Sequence, residues 1–178
     1  MKILIIADSN DFTWAGGSEY ADVLIACGDT CDQLILEAAE ACGCQRVFAV
    51  KGNHDLASPF PPPIIDLHLR VEEFENLRFG GLNGSWKYKK RGDFMYEQSE
   101  VDAFLRGFPP VDIFVSHNSP RDVHDKIDNV HTGFDGLLTY VQQHQPSLVI
   151  HGHQHTDRET IVGRTKVLGV YGYRRIEI

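Results

Sequence analysis

Five short apolar runs, each closed by a polar cluster, set the rhythm of this chain of 178 residues. Residues 2–7 (KILIIA) lead into Asp8, residues 23–27 (VLIAC) into Gly28-Asp29, and residues 46–50 (RVFAV), past Lys51, into Gly52-Asn53-His54-Asp55. Further on, residues 111–115 (VDIFV) lead into Ser116-His117, and residues 147–150 (SLVI) into His151-Gly152-His153-Gln154-His155. Runs this short, apolar at consecutive positions, suit central strands buried on both faces. Between them, residues 32–42, 97–104 and 134–143 read as helices, with Leu34, Ile35, Ala38 and Ala39 on one face of the first. Strands alternating with helices predict an α/β layered architecture. In open α/β sheets ligands bind beyond the carboxyl ends of strands, where all five polar clusters fall.

Two stretches break the alternation. Residues 69–74 and 77–81, turning at Glu75-Asn76, read as a hairpin, as do residues 159–162 and 166–170 around Gly163-Arg164. The sheet content is therefore expected to be mixed. Pro59 and Pro61-Pro62-Pro63 predict a stiff surface connection. With no internal repeat and no dividing linker, residues 1–178 are expected to form one domain with its own core.

Composition narrows the function classes. A net charge of -8 argues against nucleic acid as a broad, nonspecific partner, because such binding neutralises many phosphates with Lys and Arg. Cys27, Cys31, Cys42 and Cys44 match neither a structural zinc pattern nor a secreted disulfide framework, and are expected as buried, reduced thiols. The amino terminus lacks the pattern of a signal peptide, and no run approaches the ~20 apolar residues of a membrane span. The expectation is a cytoplasmic protein without a membrane partner.

The cluster at residues 151–155 carries the first chemical signal. In an extended exit from a strand, His153 and His155 would share one face roughly 6.5 to 7 Å apart. Imidazoles so placed can each reach one ion of a pair about 3.5 to 4 Å apart, a spacing used to hydrolyse phosphate esters. Taken in order, Asp8, Gly28-Asp29, Gly52-Asn53-His54-Asp55, His117 and Gly152-His153-Gln154-His155 resemble the motifs of the calcineurin-like metallophosphoesterases, specifically small bacterial-type forms without a cap domain. GNHD or GHxH alone is a weak signal. Their ordered combination over residues 8 to 155, each after a strand, is specific.

The resemblance implies an α/β (α+β) four-layer sandwich, with two mixed β-sheets packed face to face and flanked by helices. It also implies two divalent ions, manganese, iron or zinc, in a mixed oxygen and nitrogen shell. Asp29 would bridge them, Asp8 and His155 would complete the first site, and Asn53, His117 and His153 the second. Water activated by the ions would attack phosphorus. His54 would face the phosphate as the catalytic group, stabilising the developing charge or protonating the leaving oxygen for about 10² to 10⁴ in rate, with Asp55 either orienting it or capping a helix. Gly52 and Gly152 would permit the tight turns that aim the ligands. The first motif departs from the family's D-x-H, since Asn10 stands where a histidine is expected. A neutral oxygen donor there weakens the first site and shifts it toward manganese or magnesium. Asp11 is a candidate substitute ligand.

Plain alternatives exist for each residue. The candidate ligands could be strand-terminal polar groups capping turns, but five such ends in family order favour the chemical reading. The loop Gly84-Ser85-Trp86-Lys87-Tyr88-Lys89-Lys90-Arg91 reads as a solvated loop, or else as a substrate loop that stacks a base. His131 reads as a turn or capping residue, with the cleft as the alternative, while His68, His124 and His144 read as surface histidines. The leading expectation is a metal-dependent phosphoesterase, phosphatase or phosphodiesterase, acting on a small phosphate ester, with nucleotide-like esters among the candidates. The rivals are a catalytically weak interaction scaffold on the same fold and, less attractively, a nuclease. Oligomeric state is open.

Overall fold

The computed structural model describes residues 1–126 and 128–178. Along the first half run β1 (Lys2–Ala7), β2 (Val23–Ala26), α1 (Asp32–Ala41), β3 (Arg46–Ala49), β4 (Ile65–Asp66), β5 (Val71–Phe74) and β6 (Leu77–Leu82). After them come β7 (Ser85–Trp86), β8 (Met95–Tyr96), α2 (Gln98–Arg106), β9 (Ile113–Ser116) and α3 (Asp135–His144). The chain ends with β10 (Leu148–His151), β11 (Arg158–Val162), β12 (Thr165–Gly169) and β13 (Gly172–Glu177). One sheet has the order β13-β1-β2-β3-β4, another β11-β12-β10-β9-β6-β5, and β7 pairs with β8 apart from both. The interior strands are parallel, while β13, β11 and β5 join antiparallel at or toward the edges.

Strand periodicity explains the layers. Alternate residues of a strand face opposite sides, so Ile3, Ile5, Val23, Ile25 and Phe48 meet Phe79, Ile113, Val115, Leu148 and Ile150 between the sheets. Their neighbours Leu4, Ile6 and Leu24 pack outward on Leu34, Ile35 and Ala38 of α1. On the other outer face, Phe114, Val149 and Val167 pack under Val101 and Leu105 of α2 and Leu137, Tyr140 and Val141 of α3. Each such side chain, fully buried, contributes about 1.5–3 kcal/mol. The result is the expected sandwich of helix, sheet, sheet and helices. Both predicted hairpins are present, with β5 against β6 and β11 against β12. Helix α2 begins with a capping box in which Glu97 and Glu100 exchange side-chain and backbone hydrogen bonds.

Strand β13 was not expected. Gly-Tyr-Arg-Arg-Ile-Glu offers no apolar face, and the strand is specified by its ladder to β1, from Lys2 opposite Glu177 to Ala7 opposite Gly172. All four cysteines are free, but only Cys27 and Cys42 are buried. No described helix is long and apolar enough to cross a membrane.

Candidate metal centre

Parallel strands from both sheets deliver their carboxyl ends to one cleft of about 710 Å³. Asp8 leaves β1, Asp29 follows β2, Asn53 and His54 follow β3, and His153 and His155 follow β10; all line the cleft, as do Asn10 and Asp11. His117, directly after β9, is fully buried beneath them. Ligand atoms of Asp8, Asp29 and His117 lie within 4.8 Å of one another. His117 Nε2 is 3.4 Å from Asp29 Oδ2 and 3.2 Å from Asn53 Oδ1. On the Asp8 side, His155 Nε2 is 3.7 Å from Oδ1.

The remaining hydrogen bonds aim these groups. His117 Nδ1 is 2.8 Å from the Cys27 carbonyl, which can only accept, so Nδ1 carries a proton and Nε2 is the nitrogen that faces Asp29 and Asn53. His153 Nε2 is bound in the same way to the Val130 carbonyl at 3.1 Å, leaving Nδ1 as its free nitrogen. A backbone acceptor on one ring nitrogen is the usual way to orient a metal-binding imidazole. Asn53 donates through Nδ2 to Tyr88 Oη at 3.3 Å, which turns Oδ1 toward His117. Asp29 Oδ1 accepts the His54 backbone N–H at 2.8 Å. Asp8 Oδ2 accepts the His153 N–H at 2.7 Å, while its Oδ1 is buried without a hydrogen-bond partner among the described residues.

Burial and mutual charge set the protonation states. Burial pushes the Asp8 carboxyl up to about 7. For Asp29 burial pulls the same way, but the adjacent His117 and the His54 N–H prevail and hold it at about 2. His117 is the reciprocal case: burial opposes its charge, yet Asp29 and Asp8 push it up to about 9. Burial, assisted by His117, lowers His153 to about 3 and so keeps that ring neutral. This is a site with excess buried anion, in which a proton on His117 is the present counter-charge.

A profile of the calcineurin-like phosphoesterases matches residues 1–157. The chain belongs to that family. Among solved structures, the Thermus thermophilus protein TT1561 has a TM-score of 0.63 at 14% identity, covering 96% of this chain and 89% of that one. PptH, the phosphopantetheinyl hydrolase of Mycobacterium tuberculosis, has 0.58 at 12%, covering 96% and 89%. Vps29 of Entamoeba histolytica, complexed with zinc, has 0.51 at 15%, covering 97% and 74%. At these identities the likeness is one of fold. No curated protein sequence matches the chain.

The family generally uses a pair of divalent ions, and the residues present fit such ions. An unpaired buried carboxylate oxygen is costly unless a cation meets it, and Asp8 Oδ1 is such an atom. Neutral imidazoles, carboxylates and an amide oxygen are the donors that manganese, iron and zinc accept.

Several local expectations are corrected. His153 and His155 do not leave β10 extended on one face: both are left-handed, at φ 61 and 48, so His153 turns inward to burial while His155 stays half-exposed. Asp8 and Asp29 are also left-handed, at φ 52 and 50, and strain of this kind collects at functional sites. Gly52 and Gly152 do not serve as left-handed turns. Their role is space, because a Cβ on Gly52 would collide with the Asp29 carboxylate and one on Gly152 would sit 2.7 Å from Asp8 Oδ2. Asp55 makes no hydrogen bond to the His54 ring; its carboxylate accepts N–H groups from Asp29, Thr30 and Gly52.

Other assignments move between surface and site. His131 lines the cleft, held by Asp128 at 2.7 Å, with its ring centroid 5.2 Å from that of His153. None of the described residues 84–91 lines the cleft: Trp86 packs on the outer core, Lys87 pairs with Glu97, and only Tyr88 reaches a candidate ligand. His124 is buried, not superficial, and its Nδ1 meets His151 Nε2 at 2.9 Å. His68 is half-buried and accepts the Asn83 N–H, and His144 packs on Tyr140. Asn10 is exposed in the cleft and makes no side-chain hydrogen bond among the described residues.

Proposed function

We infer that this chain, acting as one domain in the cytoplasm, hydrolyses small phosphate esters at two divalent ions. Asp8, Asp29 and His155 would hold the first, with Asn10 as a weak additional donor, and Asp29, Asn53, His117 and His153 the second. The observation that carries this reading is the buried Asp8 Oδ1, without a hydrogen-bond partner among the described residues and clustered with Asp29 and His117. The ions, when bound, supply positive charge for the phosphoryl oxygens and lower the pKa of water.

The chain's own residues do the rest. Asp29 is pinned through Oδ1 by the His54 N–H, so the candidate bridging carboxylate and the backbone of the candidate acid are one unit. His54 is exposed in the cleft, where its ring can give a proton to the departing alcohol oxygen. Buried His117 and His153 keep their orientation through the carbonyls of Cys27 and Val130, so these two rings are held in place before any substrate binds.

Asn10 favours one rival, an interaction module on the same fold with a degraded first site. Elemental analysis of chelator-free protein, with hydrolysis of aryl phosphate mono- and diesters under added manganese, magnesium, zinc and nickel, decides between them. Two ions per chain and ion-dependent turnover are expected. No metal and no turnover with any ion would leave the scaffold. His54→Ala should keep the metal and lose about 10²-fold or more in turnover; loss of metal would mean that His54 is a ligand.

A further inference from the structure

The cleft carries more than a phosphoryl site. Seven large hydrophobic residues are exposed among the described residues, and three of them, Phe12, Leu56 and Tyr171, line this one cleft. Phe12 and Leu56 are 74% and 77% exposed, values that single surface hydrophobics commonly reach, but their convergence on one opening marks a binding surface. Tyr171 stacks on His155 with ring centroids 5.0 Å apart and planes inclined by 27°. A flat aromatic surface thus extends outward from a candidate ligand.

The charges of the same lining limit what can accompany that surface. Its acids include Asp11 and Asp32 in addition to the candidate ligands, and its one Lys or Arg among the described residues is Lys51. Lys51 is already committed: its buried Nζ lies 3.3 Å from Asp32 Oδ1 and 3.7 Å from the centre of the Phe60 ring. Among the described residues that line the cleft, no uncommitted Lys or Arg therefore awaits a second phosphate or a carboxylate; Lys126 acts on His155 from outside that lining.

We propose that Phe12, Leu56 and Tyr171 form the leaving-group subsite for an ester with one phosphoryl group and an uncharged, flat aromatic alcohol, a nucleoside included. This rests on the phosphoesterase reading and adds the substrate class. Apolar contact favours the flat group, and Asp11, which has no ion-pair partner among the described residues, disfavours a second anion on it. Diphosphates and nucleic-acid strands are disfavoured by the same charge.

Binding of non-hydrolysable compounds separates this proposal from the catalytic one. The full chain, loaded with manganese, is titrated calorimetrically with benzylphosphonate, methylphosphonate and 4-carboxybenzylphosphonate. Benzylphosphonate should bind about tenfold or more tightly than methylphosphonate, and the added carboxylate should remove most of that gain. Phe12→Ser and Leu56→Ser, both at exposed positions that the fold does not need, should each reduce the benzyl-to-methyl ratio severalfold. A ratio near one overturns the proposal and leaves the rim to a protein partner. So does a ratio untouched by both substitutions, tighter binding of the carboxylated compound, or no binding of any of the three. A preserved ratio in a protein that hydrolyses no ester would support the subsite and sink the catalytic reading alone.

Discussion

Asn53 shows how one amide is made into a ligand. Its Oδ1 faces His117 only because Nδ2 is occupied by Tyr88 Oη, a partner 35 residues away on a loop whose sequence reads as solvated or substrate-binding. Nothing local to GNHD announces that partner, whereas the GNHD residues themselves were legible because they directly follow a strand. Tyr88→Phe should therefore weaken manganese binding about tenfold or more at the second site, the usual scale for losing an orienting hydrogen bond. Calorimetric titration reads the affinity, and a thermal midpoint close to wild type shows that the fold is intact. Unchanged affinity would reduce the Tyr88 contact to ordinary packing. Asn10 invites the converse test. Its exposed side chain, without a hydrogen-bond partner among the described residues, is free to be replaced, so Asn10→His should raise manganese occupancy at the first site by elemental analysis. Constant stoichiometry would remove position 10 from the ligand set.

At the level of elements, the exits of β2 and β3 are bound to each other through Asp55. The carboxylate takes the N–H of Gly52 at 2.7 Å, of Asp29 at 3.0 Å and of Thr30 at 3.2 Å, although burial raises its proton affinity. Asp55→Ala leaves three donors unpaired and should cost on the order of 3 kcal/mol in chemical denaturation. Asp55→Asn, which keeps an acceptor oxygen, should recover part of that loss; equal losses would show that charge, not the hydrogen-bond pattern, matters. The strands feeding these exits were legible because uninterrupted apolar runs bounded by polar residues leave little choice of register. The exits themselves were not. The left-handed backbones of Asp8, Asp29, His153 and His155 accompany contacts between residues far apart in sequence, such as the His153 N–H to Asp8 Oδ2 and the Asp29 N–H to Asp55, and no local pattern encodes them.

Across the whole molecule, layering followed from strand alternation, but the placement of β13 and of the buried histidines did not, because both depend on chain segments far apart in sequence. The histidines have a consequence for acid stability. His151 is fully buried, donating through Nδ1 to the Gly152 carbonyl and accepting at Nε2 from His124 Nδ1, while His124 Nε2 accepts from Thr160 Oγ1. The chain runs in this direction only while both rings are neutral. Burial lowers His151 to about 3, and burial with nearby Arg158 lowers His124 to about 4. Each lies below the unfolded value of about 6.5. Between 6.5 and those values the unfolded chain binds more protons, so folding stability falls as pH falls. His153, also lowered to about 3, adds to the loss in metal-free protein, whereas Asp8, raised to about 7, opposes it down to the ordinary carboxylate value. His68 and His155, also lowered, add to the loss; Asp55 and Asp125, raised by burial, oppose it, as does His117, raised to about 9, near the top of the window. The three strongly lowered histidines leave a net loss. The urea midpoint of chelated protein should therefore drop steadily from about pH 6.5 to about pH 4.5. His124→Asn, with a residue that tolerates the left-handed backbone at φ 67, should start from a lower midpoint and fall less steeply, by up to one proton. A parallel fall in wild type and variant would show that His124 titrates alike folded and unfolded, and that its burial does not govern the acid limit of the fold.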